Sequence, residues 1–237
     1  MFGKKNHTVL ILSDCHFPYN HPDCVEFLRA CKEKYKPDRV VSVGDEVDLH
    51  SFSFHTHSPD LLSPSDELQT AINRLKPIYE MFPVMDVCES NHGSLVYRRA
   101  QANGLPAHVL KSYREILEAP KGWRWHSDLT IKMSNGMHVY ICHSIGGDVL
   151  RVSQSMGMSV VQGHHHEKFE IRYWANRLGL YWGMFVGCMI EDDSLAYSYN
   201  RVNLKRPLIG CGVIVNGIPQ LIPMILSPGG RWSKVLP

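Results

Sequence analysis

Along the first half of the chain the spacing of apolar residues changes repeatedly, and each change marks an element. Thr8 to Leu12 (TVLIL) is a continuous β-branched and apolar run of buried-strand length, closed by Ser13-Asp14-Cys15-His16. Val25, Phe27, Leu28, Cys31 and Tyr35 then recur at roughly helical spacing up to Pro37, which stops the helix. Arg39 to Val43 forms the next strand and ends at Gly44-Asp45. Past a His- and Ser-rich loop over 50–65, a helix begins at Ser65, with Leu68, Ile72, Leu75 and Tyr79 on one face. Pro83 to Cys88 makes a third strand, ending in Glu89-Ser90-Asn91-His92. This βαβαβ order predicts a largely parallel sheet with covered faces.

The second half changes character. Leu129 to Met133 and Met137 to Cys142 flank Ser134-Asn135-Gly136, which predicts a hairpin with an Asn-Gly turn. Val149 to Met156 is expected to be a helix, and Ser159 to Gln162 a strand that runs into Gly163-His164-His165-His166. From Phe169 onward the pattern is of short strands punctuated by Gly and Pro: EIRYW, LGLYWGMFV, SLAYSY, CGVIV and QLIPMIL. With no internal repeat, low-complexity tract or linker, a single domain over 1–237 is expected.

Composition narrows the class. The 237 residues are 44% apolar, enough for a large core, and the 20% charged fraction is too low for a disordered chain. Lys+Arg 25 against Asp+Glu 23 leaves +2, far from a polybasic coat protein, although a local basic patch remains compatible with nucleic acid. No stretch approaches the ~18 apolar residues of a membrane span, and the apolar run after Lys5 is too short for a signal peptide. The seven cysteines include no CxxC pair, so neither a disulfide framework nor a zinc knuckle is implied, and a reduced, cytoplasmic protein is expected. Fourteen histidines is a high count, and it directs attention to metal ligands.

Nearly every predicted strand ends in a metal-capable residue. The first gives Asp14 and His16, the second Asp45, the third Asn91 and His92, and later strands His143, His164 and His166. In open α/β sheets ligands bind beyond the carboxyl ends of the strands. Residues two apart in an extended segment face the same side, which pairs Asp14 with His16 and His164 with His166. One Asp-x-His is weak on its own; five such clusters in order are not.

The order Asp14-Cys15-His16, Gly44-Asp45-Glu46-Val47-Asp48, Asn91-His92, His143 and Gly163-His164-His165-His166 resembles the calcineurin-like metallophosphoesterase superfamily, over residues 9–166. Its compact form is similar to the bacterial and phage members. The resemblance implies a four-layer α/β/β/α fold, a β-sandwich flanked by helices, which the C-terminal strands and hairpins of 167–237 would complete. It also implies two divalent transition metals, manganese first, with iron, zinc or nickel as alternatives. Asp14, His16, Asp45 and His166 would hold one metal, and Asp45, Asn91, His143 and His164 the other. Mixed nitrogen and oxygen ligands suit such ions, and a hydroxide bridging the pair would attack phosphorus in line. By the same resemblance Asp45 and His92 are catalytic, His92 protonating the leaving oxygen. The family's usual GNHE or GNHD is here Ser90-Asn91-His92-Gly93, which removes an orienting carboxylate and alters the turn.

Other residues carry two readings each. Asp48 structures its loop or supports a ligand histidine, and direct metal binding is the lesser reading. His165 should point away from the site. His50, His55 and His57 line a substrate mouth or sit in a solvated loop. Arg98 and Arg99 clamp phosphate or lie on a solvated helix face. Cys15 and Cys142 pack as small buried residues. Arg172, Arg177, Arg201, Lys205 and Arg206, interleaved with Tyr173, Trp174, Tyr181, Trp182, Tyr197 and Tyr199, form a stacking surface for nucleic acid or belong to the core. The function expected is hydrolysis of a nucleotide or other small phosphate mono- or diester. The alternatives are a nuclease or nucleic-acid-end phosphatase and a non-catalytic interaction scaffold. Oligomerisation is left open.

Overall fold

The computed structural model describes residues 7–54, 60–191 and 206–237. In chain order the elements are β1 (Thr8–Leu12), α1 (Cys24–Tyr35), β2 (Arg39–Ser42), α2 (Pro64–Met81), β3 (Val84–Cys88), α3 (Leu95–Ala102), α4 (Tyr113–Ile116) and β4 (Gly122–His126). There follow β5 (Asp128–Lys132), β6 (His138–Cys142), α5 (Val149–Met156), β7 (Ser159–Gln162), β8 (Phe169–Asn176), β9 (Gly179–Val186), β10 (Gly210–Val215) and β11 (Ile218–Pro223). One sheet has the order β11-β10-β1-β2-β3-β4, the other β5-β6-β7-β9-β8. Strands β1 to β4 run parallel, as the alternation of strand and helix requires, while β10 and β11 join antiparallel at the far side.

Alternation along β1 explains the layering. Leu10 and Leu12 pack with Phe27, Leu28 and Cys31 of α1 and Ala71, Leu75 and Ile78 of α2. Val9 and Ile11 face the other way, into a core with Leu129, Ile141, Val161, Met184 and Val186 of the second sheet. Both faces of β1 are therefore dry, which is why its sequence shows no polar alternation. Helix α5 covers the outer side of the second sheet, against β7, β8 and β9. The result is the four-layer α/β/β/α arrangement expected.

The capping chemistry fixes the helix ends. Ser63 caps α2 by accepting from the Asp66 amide, and Pro64 occupies the first turn, so the helix starts one residue before the expected Ser65. Lys36 closes α1 in the left-handed conformation just before Pro37. The short strand β4 was not anticipated; it pairs in parallel with the whole of β3. The C-terminal strands divide between the sheets, β8 and β9 in one and β10 and β11 in the other. The SLAYSY segment lies outside the described residues. No helix among the described residues is long and apolar enough to cross a membrane.

Candidate metal centre

The loops after β1, β2, β3, β6 and β7 bring their polar residues to one place. Ligand-capable atoms of Asp14, His16, Asp45 and His166 all lie within 4.8 Å of one another, and so do those of Asp45, His143 and His164. Asp45 belongs to both groups and is buried. Asn91 joins the second group, its Oδ1 lying 2.7 Å from His143 Nε2 and 3.1 Å from His164 Nδ1.

Backbone conformation explains how the chain aims these groups. His16, Asp45 and His164 have φ of 51°, 45° and 69°. The left-handed region is unfavourable for residues with a Cβ and persists only where the surroundings impose it. The simple period-two argument for Asp14/His16 and His164/His166 therefore does not describe the local geometry. The pairs converge because the strand has ended and the loop turns back. Glycines make the turns tight: a Cβ on Gly163 would lie 2.3 Å from Asp14 Oδ1, and its absence lets the His164 amide donate to Asp14 Oδ2 at 2.5 Å. Gly44, at φ 108°, likewise has no room for a Cβ against the Cys88 carbonyl.

Hydrogen bonds decide which nitrogen each ring presents. His16 Nδ1 is held by Asp48 Oδ2 at 2.8 Å, leaving Nε2 pointed at His166 Nε2 (3.1 Å) and Asp45 Oδ2 (3.5 Å). His143 Nδ1 donates to the Val43 carbonyl at 3.0 Å, leaving Nε2 near Asn91 Oδ1 and 3.3 Å from Asp45 Oδ2. With these rings neutral, lone pairs converge with no proton between them, and buried Asp14 Oδ1 has no hydrogen-bond partner. Such a constellation needs protons or cations, and its mixture of imidazole, carboxylate and amide oxygen fits divalent transition ions.

The ionisation pattern says the same. Burial opposes the charge on Asp45, yet the His92, His143 and His16 imidazoles hold its carboxyl well below the usual range. Burial likewise opposes protonation of His143, but the Asp45 and Asp14 carboxylates lift it to about 9. Burial lowers His16 in spite of its bond to Asp48, and burial together with charged His143 lowers His164.

His92 stands at the edge of this cluster. Its Nδ1 donates to the Asp48 carbonyl, its ring meets His16 edge-on at 4.7 Å, and its amide donates to Asp45 Oδ1 at 3.2 Å. Burial would lower its pKa, but the Asp45 and Asp48 carboxylates raise it. Asp48 is thus the support of a candidate ligand histidine, and it also groups with His16 and His92. The departure at Gly93 has a steric counterpart: a Cβ there would lie 3.1 Å from the Tyr113 hydroxyl.

The remaining sequence candidates fall as follows. Arg99 donates to the Phe52 and Ser53 carbonyls and stacks on Phe54 at 4.1 Å, so its guanidinium is engaged in packing the 50–54 loop. Arg98 donates to the Asn91 carbonyl at 3.0 Å and steadies the turn that carries Asn91. His165 turns away, edge-on to Phe185 at 5.2 Å. Cys15 and Cys142 are buried. His50 ends 3.8 Å from Asp48, whereas His55 and His57 lie outside the described residues. Of the aromatic and basic residues after 170, Trp182 is core, Trp174 stacks on Tyr181 at 4.7 Å, and Arg172 pairs with Asp148. Arg201, Lys205, Tyr197 and Tyr199 are outside the described residues.

Two contributors gave little signal in the sequence. Gln162, fully buried, accepts from the Ile145 amide at 2.7 Å and fixes the loop after His143; a lone polar residue closing SVVQ was its only trace. Glu46 accepts from Trp125 Nε1 at 3.0 Å, and burial pushes its carboxyl up to about 7.

No protein-family model matches the sequence, and no curated protein matches it. Among solved structures it is similar to vacuolar protein sorting 29 from Cryptosporidium parvum, at 13% identity over 98% of this chain and 97% of that one, with a TM-score of 0.48. Chaetomium thermophilum Vps29 matches at 9% identity, over 99% and 95% of the two chains, with a TM-score of 0.47. Yfce, a phosphoesterase from E. coli, matches at 10% identity, over 95% and 96%, with a TM-score of 0.43. In the order of its metal-capable motifs, their convergence at one site and its four-layer fold, the chain resembles the calcineurin-like metallophosphoesterases.

Proposed function

We propose that the protein is a metal-dependent phosphoesterase acting on a nucleotide or another small phosphate ester. The observation that carries the reading is the convergence of lone-pair donors on buried Asp45, from two sides, at the ends of five strands. Asp14, His16, Asp45 and His166 would hold one divalent ion, and Asp45, Asn91, His143 and His164 a second, with manganese the first candidate. Such a pair neutralises phosphoryl charge and lowers the pKa of water so that it acts as a nucleophile near neutral pH. The chain supplies the rest. Asp48 orients His16, the Val43 carbonyl orients His143, and Arg98 steadies the turn of Asn91. With Nδ1 bound to the Asp48 carbonyl, His92 has Nε2 left to give a proton or hydrogen bond to the leaving oxygen.

The test is hydrolysis by manganese-loaded protein of adenosine monophosphate, an aryl monoester, an aryl diester, and single- and double-stranded DNA. Turnover of the small esters that EDTA abolishes and manganese restores is expected. Full activity after exhaustive chelation would contradict the metal reading. Cleavage of DNA alone would favour a nuclease, and no hydrolysis at all a non-catalytic scaffold.

A further inference from the structure

A cavity of about 680 Å³ opens directly from the Asn91, His143 and His164 side of the metal centre. That volume falls in the roughly 300–1,000 Å³ range of small-molecule sites. Four elements each give it an aromatic ring: Tyr97 from α3, Tyr113 from α4, Trp125 from β4 and Tyr140 from β6. Tyr113 and Trp125 meet edge-on at 5.5 Å, and Tyr97 lies 6.5 Å from Tyr113, which makes a continuous aromatic wall. Among the described residues the charged side chains of the lining, its histidines apart, are the carboxylates Glu89 and Asp128, and no lysine or arginine lines it. Gly93 is part of the lining as well, and any side chain there would crowd Tyr113 and reduce the space.

Each feature excludes a class of ligand. Aromatic walls favour a flat ring over an aliphatic group, because stacking is available to any π face. Away from the metal centre the lining offers carboxylates and, among the described residues, no basic side chain, which disfavours a second phosphate and so a di- or triphosphate chain. The same carboxylates accept hydrogen bonds and reward a ring bearing an amino group. We propose that this cavity is a subsite for an amino-bearing nucleobase, adenine, cytosine or guanine, of a nucleotide whose single phosphate lies at the metal centre. The proposal rests on the phosphoesterase reading for the phosphate, while the base site itself needs no metal. Asp128, next to the Tyr140 phenol, is the acceptor that distinguishes cytosine from uracil.

Equilibrium binding of adenosine, cytidine, uridine and ribose to the EDTA-treated full-length protein, measured by calorimetry, tests it apart from catalysis. Adenosine and cytidine should bind at least about tenfold more tightly than ribose, the scale of one stacked base. Tyr140→Ala should remove about that factor, and Tyr140→Phe, which keeps the ring, should retain most of it. Asp128→Asn should bring cytidine and uridine to within about twofold of each other while the melting temperature holds, since a charged acceptor discriminates more than a neutral one. Nucleosides binding no better than ribose, or an unchanged cytidine preference in Asp128→Asn, would overturn the proposal. Nucleoside binding by a protein that hydrolyses no ester with manganese would instead refute the phosphoesterase reading and leave the base site standing.

Discussion

Under the proposed function, His92 is the residue at which metal binding and catalysis would separate. It lies beside the candidate ligands without belonging to either four-residue set, and its Nδ1 is committed to the Asp48 carbonyl. A proton donor matters most when the leaving group is a poor one. His92→Ala should therefore lose about 10²–10⁴-fold in kcat on a nucleotide with a ribose leaving oxygen, and far less on a nitrophenyl ester. Metal content should be unchanged, so steady-state kinetics on both substrates with elemental analysis checks the claim; equal losses on both esters would contradict it. Asp48 acts one step further back. In Asp48→Asn the amide can donate to His16 Nδ1, and the ring then carries its proton on Nε2, the nitrogen needed for the cation. An affinity loss of about 10–100-fold for the ion held by His16 is expected, by metal titration, with the fold intact by circular dichroism. Both residues stood in recognisable motifs. Gln162 lies outside those motifs and Glu46 fills a variable position of one, and a buried hydrogen bond leaves no periodicity in the sequence that would mark either.

Among the elements, those with long or repeated apolar patterns were legible: β1, α1, β2, α2, β3 and the β5–β6 hairpin all lie where the spacing puts them. Strand β4 was not. Trp123 is buried and Arg124 exposed, but the alternation goes no further, and GWRWH takes its place only by pairing with β3. The attachment of the C-terminal tail to α1 was equally invisible, since it joins residues more than 200 positions apart. Asp23, at the start of α1, accepts from Arg231 Nε and the Trp232 amide, each at 2.8 Å, and Trp232 meets Phe27 edge-on at 5.4 Å. The Arg231 guanidinium beside it holds the Asp23 carboxyl down at about 2. A carboxylate with a lowered folded pKa stabilises fully above its unfolded value of about 3.9 and loses that contribution as pH falls toward 2. Asp23→Asn should thus melt below wild type at pH 6, and the gap should narrow steadily between about pH 4 and 2.5. Thermal melts across that range check this; a gap that is constant with pH would contradict it.

For the whole molecule, the sequence disclosed which residues meet but not how the chain turns to bring them together. The parallel sheet followed from the alternation of strands and helices and the four layers from the family resemblance, whereas the left-handed conformations of His16, Asp45 and His164 had no sequence signal. Such residues cost on the order of 1–3 kcal/mol each where nothing compensates, and they hold a crowd of lone pairs around two buried carboxylates, Asp14 and Asp45. Cations bound there favour the folded state. At about 100 times the dissociation constant one site adds about 2.7 kcal/mol, so saturating manganese should raise the melting temperature by about 5–10 °C by scanning calorimetry. The central claim is that two ions share Asp45, and metal titration by calorimetry with elemental analysis tests it most directly. Wild type should take up two equivalents, His164→Ala should keep one tight site, and Asp45→Asn should lose tight binding at both. A single equivalent in wild type, or two retained in Asp45→Asn, would contradict the account.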